Sequence, residues 1–246
     1  MKAALFGDSI WIDQVLLSSL KPQIDAVVKS SETSRRFAHN LQALDDNVLA
    51  RHLVEHVFRI RMFRPLDMHA TKWLSMHAPD AEKAWAAYAR SEAVHDRYFL
   101  RDLAAMGLGR DKVDSLRPFA ATAALGAFIS EAMDHYGALP VVLYSYWTEQ
   151  NSDVGSADVI ALTRDRFGEA AVRGAQAHRA LDEREDHADE VTGILTHLIA
   201  DQEDLALAVQ LLRGISFWLS AYFAELEEWC AGNSLGAEAK SAFAVP

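Results

Sequence analysis

The chain has 246 residues, 50% hydrophobic and 24% charged, a globular balance that excludes a disordered or low-complexity protein. Only 12 Gly and 6 Pro punctuate it, too few turn formers for an all-β fold. Asp and Glu outnumber Lys and Arg by 35 to 24, and the net charge of -11 repels phosphate backbones, so no nucleic-acid partner is expected.

The hydrophobic pattern is helical nearly everywhere, and no alternating strand run appears. The first helix runs from about Ser9 to Lys29, with Pro22 as a kink, and a short one follows around Ser34 to Leu44. A long helix covers about Asn47 to Met76, with a kink expected at Pro65. The next starts after Pro79 and runs to about Met106, ended by Gly107 and Gly109. After a linker come helices at about Phe119–Tyr136 and Pro140–Gln150, then a polar turn at Asn151–Ser156. Helices over about Ala157–Phe167, Glu169–Ala200 and Glu203–Trp229 complete the order, and the tail after Gly232 reads as loose. No internal repeat and no dividing linker occurs. The expectation is one all-α, single-domain helical bundle over residues 1–246.

In a bundle the informative residue is a charged one on an inward stripe. At roughly 100° per residue, Trp85, Tyr88, Glu92, His95, Phe99, Leu103 and Met106 share a narrow wedge. Lys83, Arg90, Arg97 and Arg101 take the other face. A buried carboxylate costs several kcal/mol unless it is paired or bound to metal. Glu-x-x-His puts both side chains on one face, within reach of a common ion, as in di-iron carboxylate bundles. A hydrogen-bonded Glu–His pair filling a core gap explains the same letters.

Glu149 closes the run Leu139 to Thr148, which is almost wholly apolar or aromatic. A helix apolar all round is buried. Glu149 is therefore a second candidate, with Glu131 as its competitor, unless the helix simply ends there in water.

The third candidate is the charged run His178 to Glu190. Phe167, Ala171, Ala175, His178 and Asp182 share one face, whereas Val191, Ile194, Leu195 and Leu198 lie on roughly the opposite one. The stripe jumps between Asp182 and His187. Two extra residues turn a helix by roughly 200°. If two are looped out, His187 joins His178 and Asp182 on the inward side. If the helix is straight, Glu185 takes that place. Six carboxylate and imidazole ligands suit a pair of iron or manganese ions.

The stretch Glu92-Ala-Val-His95-Asp-Arg-Tyr-Phe-Leu-Arg-Asp-Leu-Ala-Ala-Met-Gly107 resembles the first metal helix of the heme-oxygenase-like di-iron oxidases and oxygenases. That family shares its fold superfamily with thiaminase-II and pyrroloquinoline-quinone synthase proteins. In it a Glu follows at the end of a buried aromatic-rich helix, which Glu149 matches. A later helix carries His-x-x-x-Asp-x-x-His, of which His178 and Asp182 match. Glu185 stands where the last His is expected, and His187 comes two residues late. The resemblance covers about Pro79 to Leu198. It implies a heme-oxygenase-like fold, a ligand set of Glu92, His95, Glu149, His178, Asp182 and His187 (or Glu185), two Fe(II) ions per chain, and O2 as co-substrate. It also implies oxidation of a small carboxylate or amino-acid-like molecule. The quinone-synthase branch would keep the fold and need no iron. A metal-free bundle that binds a small molecule or a partner is the other alternative. The thiaminase branch resembles itself in a mid-chain cysteine nucleophile, whereas the single cysteine here is Cys230.

Tyr88 and Tyr146, with Trp85, are candidates to line the pocket. Among Arg59, Arg61 and Arg64, which cannot all share one face, an inward one can fork a substrate carboxylate, and Arg59 and Arg61 are the candidates. His39, His52 and His56 have no persuasive metal setting, and His52-Leu-Val-Glu55-His56 reads as an exposed polar face. Several helices carry apolar face enough for a homodimer. No stretch of about 18 uncharged apolar residues is evident, so no membrane span is expected. Met1–Trp11 lacks a signal-peptide core and cleavage site, and with one cysteine a cytoplasmic setting is expected.

Overall fold

Ten α-helices follow in chain order through the described residues: α1 (Asp46–His77), α2 (Pro79–Glu92), α3 (Asp96–Ala105), α4 (Arg110–Ser115), α5 (Ala120–Tyr136), α6 (Leu139–Asn151), α7 (Ser156–Phe167), α8 (Arg173–Glu185), α9 (His187–Thr196) and α10 (Gln202–Ala231). A 3-10 turn at Glu169–Val172 leads into α8. This computed structural model describes residues 46–151, 156–185 and 187–231, with Ser18 and Pro22 besides. The helices expected over Ser9–Lys29 and Ser34–Leu44, the tail after Gly232 and His39 lie outside the described residues.

The described residues contain no strand, as the helical periodicity requires. Three local expectations differ. α1 continues through Pro65 as one helix. The stretch read as a linker before Phe119 contains α4, which buries Val113. The first of the two long helices expected to carry metal ligands is in two pieces, α2 and α3.

That break falls between two apolar clusters. One apolar cluster gathers Trp85 and Tyr88 of α2, Val191, Ile194 and Leu195 of α9, and the inner faces of α5, α6 and early α10. A second gathers early α1, Leu100 and Leu103 of α3, Ala171, and Tyr222, Leu226 and Trp229 of late α10. α2–α3 passes from the first cluster to the second and is interrupted on the way.

α10 spans both clusters. Leu205, Ala208, Leu212, Ile215, Leu219, Tyr222, Leu226 and Trp229 recur at spacings of three or four and are all buried. By length and composition Gln202–Trp229 is apolar enough to cross a membrane, with a mean hydropathy of 1.3 over its most apolar window. Every 18-residue window within it contains Arg213, so no uncharged apolar stretch of that length occurs there. In the structure its inward stripe packs on α5 and α6.

Candidate metal centre

The three-residue break between α2 and α3 brings Glu92 and His95 together. His95 N donates to Glu92 O at 3.1 Å, and Tyr98 N to His95 O at 3.0 Å. These are bonds between residues three apart, the 3-10 pattern, in which side chains at i and i+3 eclipse. Glu92 and His95 thus stand one above the other, with Nδ1 of His95 3.0 Å from Oε2 of Glu92. His95 is fully buried. Both of its ring nitrogens and Oε1 of Glu92 are buried without a hydrogen bond. Polar atoms so placed are costly unless something completes them.

Two groups of three potential ligands share Glu92. Glu92, His95 and His178 form one; Glu92, Glu149 and His187 form the other, with ligand atoms inside each group all within 4.8 Å of one another. The His95 and His178 rings are 4.2 Å apart. His187 is 2% exposed, with Nδ1 3.6 Å from Oε1 of Glu92. Two carboxylates and three imidazoles around a shared carboxylate fit a dinuclear site for iron or manganese, so the residues present accept the group that the sequence resemblance implies.

Neighbouring groups orient the set. The Tyr88 hydroxyl donates to Oε1 of Glu149 at 2.9 Å, and its ring meets the His187 ring edge-on at 5.3 Å. Burial first, then the Glu92 and Glu149 charges, push the Tyr88 phenol well above its ordinary range, so it stays a donor. The fully buried Asp102 on α3 accepts from the backbone N–H groups of Gly174 and Ala175, at 2.7 Å each. This carboxylate caps the start of α8, one turn before His178. Close approach of α3 and α8 requires glycine at 174, because a Cβ there would fall 2.0 Å from the carbonyl oxygen of Tyr98.

His187 is on the inward side, the place that the sequence left open between it and Glu185. α8 ends at Glu185 and α9 begins at His187, which faces the Glu92 carboxylate. Asp182 and Glu185 are on α8 by backbone, and their side chains lie outside the described residues. Glu131, the competitor of Glu149, is exposed. Trp85 is a core residue whose indole N–H donates to the Asp67 carbonyl at 3.1 Å. Tyr146 is fully buried within the first apolar cluster.

The three arginines separate. Arg61 bonds Asp96 at 3.0 Å and Asp114 at 2.6 Å, and Arg64 bonds Asp96. Both thus tie α1 to α3, and Arg61 also reaches α4. Arg59 is buried and makes no such pair among the described residues. His52, Glu55 and His56, read as an exposed polar face, are turned inward: Glu55 is fully buried, and burial drives the His52 imidazole down to about 3. Adjacent helices cover that face, which the periodicity of α1 alone does not reveal. Two neighbours of the site were not anticipated. Asp67 is pushed up to about 7, chiefly by burial and then by Glu92. Tyr144 is pushed up to about 12 chiefly by burial, with Arg59 opposing the rise and Asp67 and Glu92 adding to it. For Tyr144 the signal was its place on the all-apolar helix before Glu149; for Asp67 there was none. A cleft of about 480 Å3 beside Trp73 and Tyr136 contains none of these ligands.

No protein-family model matches the chain, and no curated protein matches it. Solved structures do. A domain of unknown function with a heme oxygenase-like fold from Shewanella denitrificans OS217 superposes with a TM-score of 0.73 at 18% identity, covering 91% of this chain and 95% of the other. A TenA homolog from Pseudomonas syringae pv. tomato str. DC3000 superposes with a TM-score of 0.71 at 14% identity, covering 93% and 98%. The chain has the heme-oxygenase-like all-α fold.

Proposed function

We propose that this protein is a non-heme, iron-dependent oxygenase or oxidase that holds two ferrous ions and uses O2 to oxidise a small carboxylate or amino-acid-like substrate. One observation carries the reading: two half-buried ligand triads share Glu92, whose Oε1 is itself buried with no hydrogen bond. Glu92, His95 and His178, joined by Asp182 on the same helix as His178, would hold one ion. Glu92, Glu149 and His187 would hold the other. The ions would supply reductive activation of O2, which protein side chains alone cannot perform. The chain's own part is to fix the ligands, to keep Tyr88 protonated against Glu149 and to exclude water with the aromatic residues packed around the set. A cytoplasmic enzyme acting on a free small molecule fits the composition.

The test is iron stoichiometry. The protein is loaded with Fe(II) under argon, desalted and analysed for bound metal. About two irons per chain support the reading. About one supports a weaker second site at the Asp182–His187 segment. None overturns it and leaves a metal-free bundle or a cofactorless oxidase on the same fold.

A further inference from the structure

Helix α1 buries two arginines, each with one guanidinium nitrogen unbonded, and they differ in that only Arg51 has a carboxylate bonded to it. Arg51 donates to Glu55 and, at 2.7 Å, to the carbonyl of Arg117. Arg59, two turns on and 7% exposed, has a buried Nη1 with no hydrogen-bond partner. Glu55, one turn before it, is already occupied by Arg51, the Phe119 N–H at 3.0 Å and the Thr122 hydroxyl. The Arg59 guanidinium instead lies over the Tyr222 ring, 4.6 Å from its centre, and donates to the Tyr144 and Tyr222 hydroxyls, which leaves Nη1 unmet. A charged fork kept out of water without an anion is an incomplete site.

Its surroundings lead to the candidate metal centre. One turn before Arg59, His56 stacks on Phe99 at 5.3 Å, and Phe99 lies 5.4 Å from His178. One turn after it, Phe63 stacks on Tyr144 at 3.9 Å, and Tyr144 precedes Glu149 on α6. Aromatic rings thus separate a lone cation from the two triads.

We infer that Arg59 is the docking point for the carboxylate of the substrate, with Nη1 as donor and the apolar body of the ligand lying along Phe99 and Tyr144 toward the triads. The anion at Arg59 stands on its own geometry; that the anion is the substrate rests on the oxidase reading above. The ligand class is a monocarboxylate with an aliphatic or aromatic body. Arg61 and Arg64, already paired with aspartates, do not take this role.

The experiment measures calorimetric binding of octanoate and 3-phenylpropionate, each against its neutral amide. It uses iron-free protein, so that no carboxylate binds through a metal. Wild-type protein is expected to bind at least one acid roughly tenfold or more tightly than its amide. Arg59→Met, which removes the buried cation while keeping an extended side chain, should abolish that preference. Arg59→Lys, which keeps the charge and loses the fork, should weaken it, and serves as the test if the Met variant does not fold. Iron loading should be unchanged in both variants. An acid–amide preference that survives in Arg59→Met, or no binding of either acid by the wild type, overturns the inference. Arg59-dependent acid binding without iron uptake would sink the oxidase reading and leave the anion site standing. Two irons without Arg59-dependent binding would do the reverse.

Discussion

Glu55 and Glu92 are both inward carboxylates on long helices, and they are built in opposite ways. Glu55 is fully buried, and its oxygens accept from Arg51, the Phe119 N–H and the Thr122 hydroxyl. Glu92 is 22% exposed at its side chain, with Oε1 unbonded and two imidazoles at 3.0 and 3.6 Å. The first holds α1 to the start of α5 and has no valence left. The second leaves its valence open among further donors of the same kind. Burial of charge alone does not mark a site; burial with unmet coordination does.

Substitution should separate the two. The largest effect is expected from Glu92→Ala: metal content after anaerobic Fe(II) loading should fall from about two to one or none, while the thermal midpoint of the iron-free protein stays near that of the wild type. Retention of two irons would show that Glu92 is not shared between ions. Glu55→Ala should do the opposite. It strands Arg51 and two donors in the core, at a cost of roughly 3–5 kcal/mol, with iron per folded chain unchanged. Equal loss of metal in both variants would erase the distinction.

Asp102 tests how the triad that contains His178 is positioned. Its two 2.7 Å bonds cap α8 one turn before His178. Asp102→Ala should cost about 1–2 kcal/mol in a denaturant melt. Through His178 it should also weaken one iron more than the other, so partial loading should yield about one iron where the wild type takes two. A stability loss with undiminished loading would make the cap purely structural.

The sequence made the helical class, Glu92, His95 and the inward turn of His187 legible, because apolar phase is a local property. The jump between Asp182 and Val191 left two arrangements open, and His187 is the residue turned inward. The break at Ala93–His95 was not legible. The stripe from Trp85 to Met106 stays in phase across it, since three residues of tighter winding rotate a helix by only about 60° in total. The close packing of α3 on α8 at Gly174 is likewise a tertiary fact, because a single glycine in a helical run does not say what approaches it. Arg59 could be nominated but not chosen over Arg61, because the aspartates that claim Arg61 come from α3 and α4.

The smallest expected effect concerns the histidines beside Glu55. His52 shares a hydrogen bond with the Tyr222 hydroxyl, and its Nε2 is 3.1 Å from that of His56. Burial first, then Arg59, lowers the His52 imidazole from 6.5 to about 3, and His56 is lowered for the same reasons. Between those two values the unfolded chain binds a proton at His52 that the folded protein refuses. Stability therefore falls as pH drops from 6.5 toward 3, by up to about 1.4 kcal/mol per unit for one such group, and is unaffected by it above 6.5. His52→Gln keeps a polar partner for Tyr222 and removes the titration. In iron-free protein the variant's melting temperature should fall less steeply between pH 6.5 and 4.5 than that of the wild type, by a few degrees over the range. Parallel pH profiles would mean that His52 takes up its proton in the folded state, and that the wall around Arg59 is wetter than its packing implies.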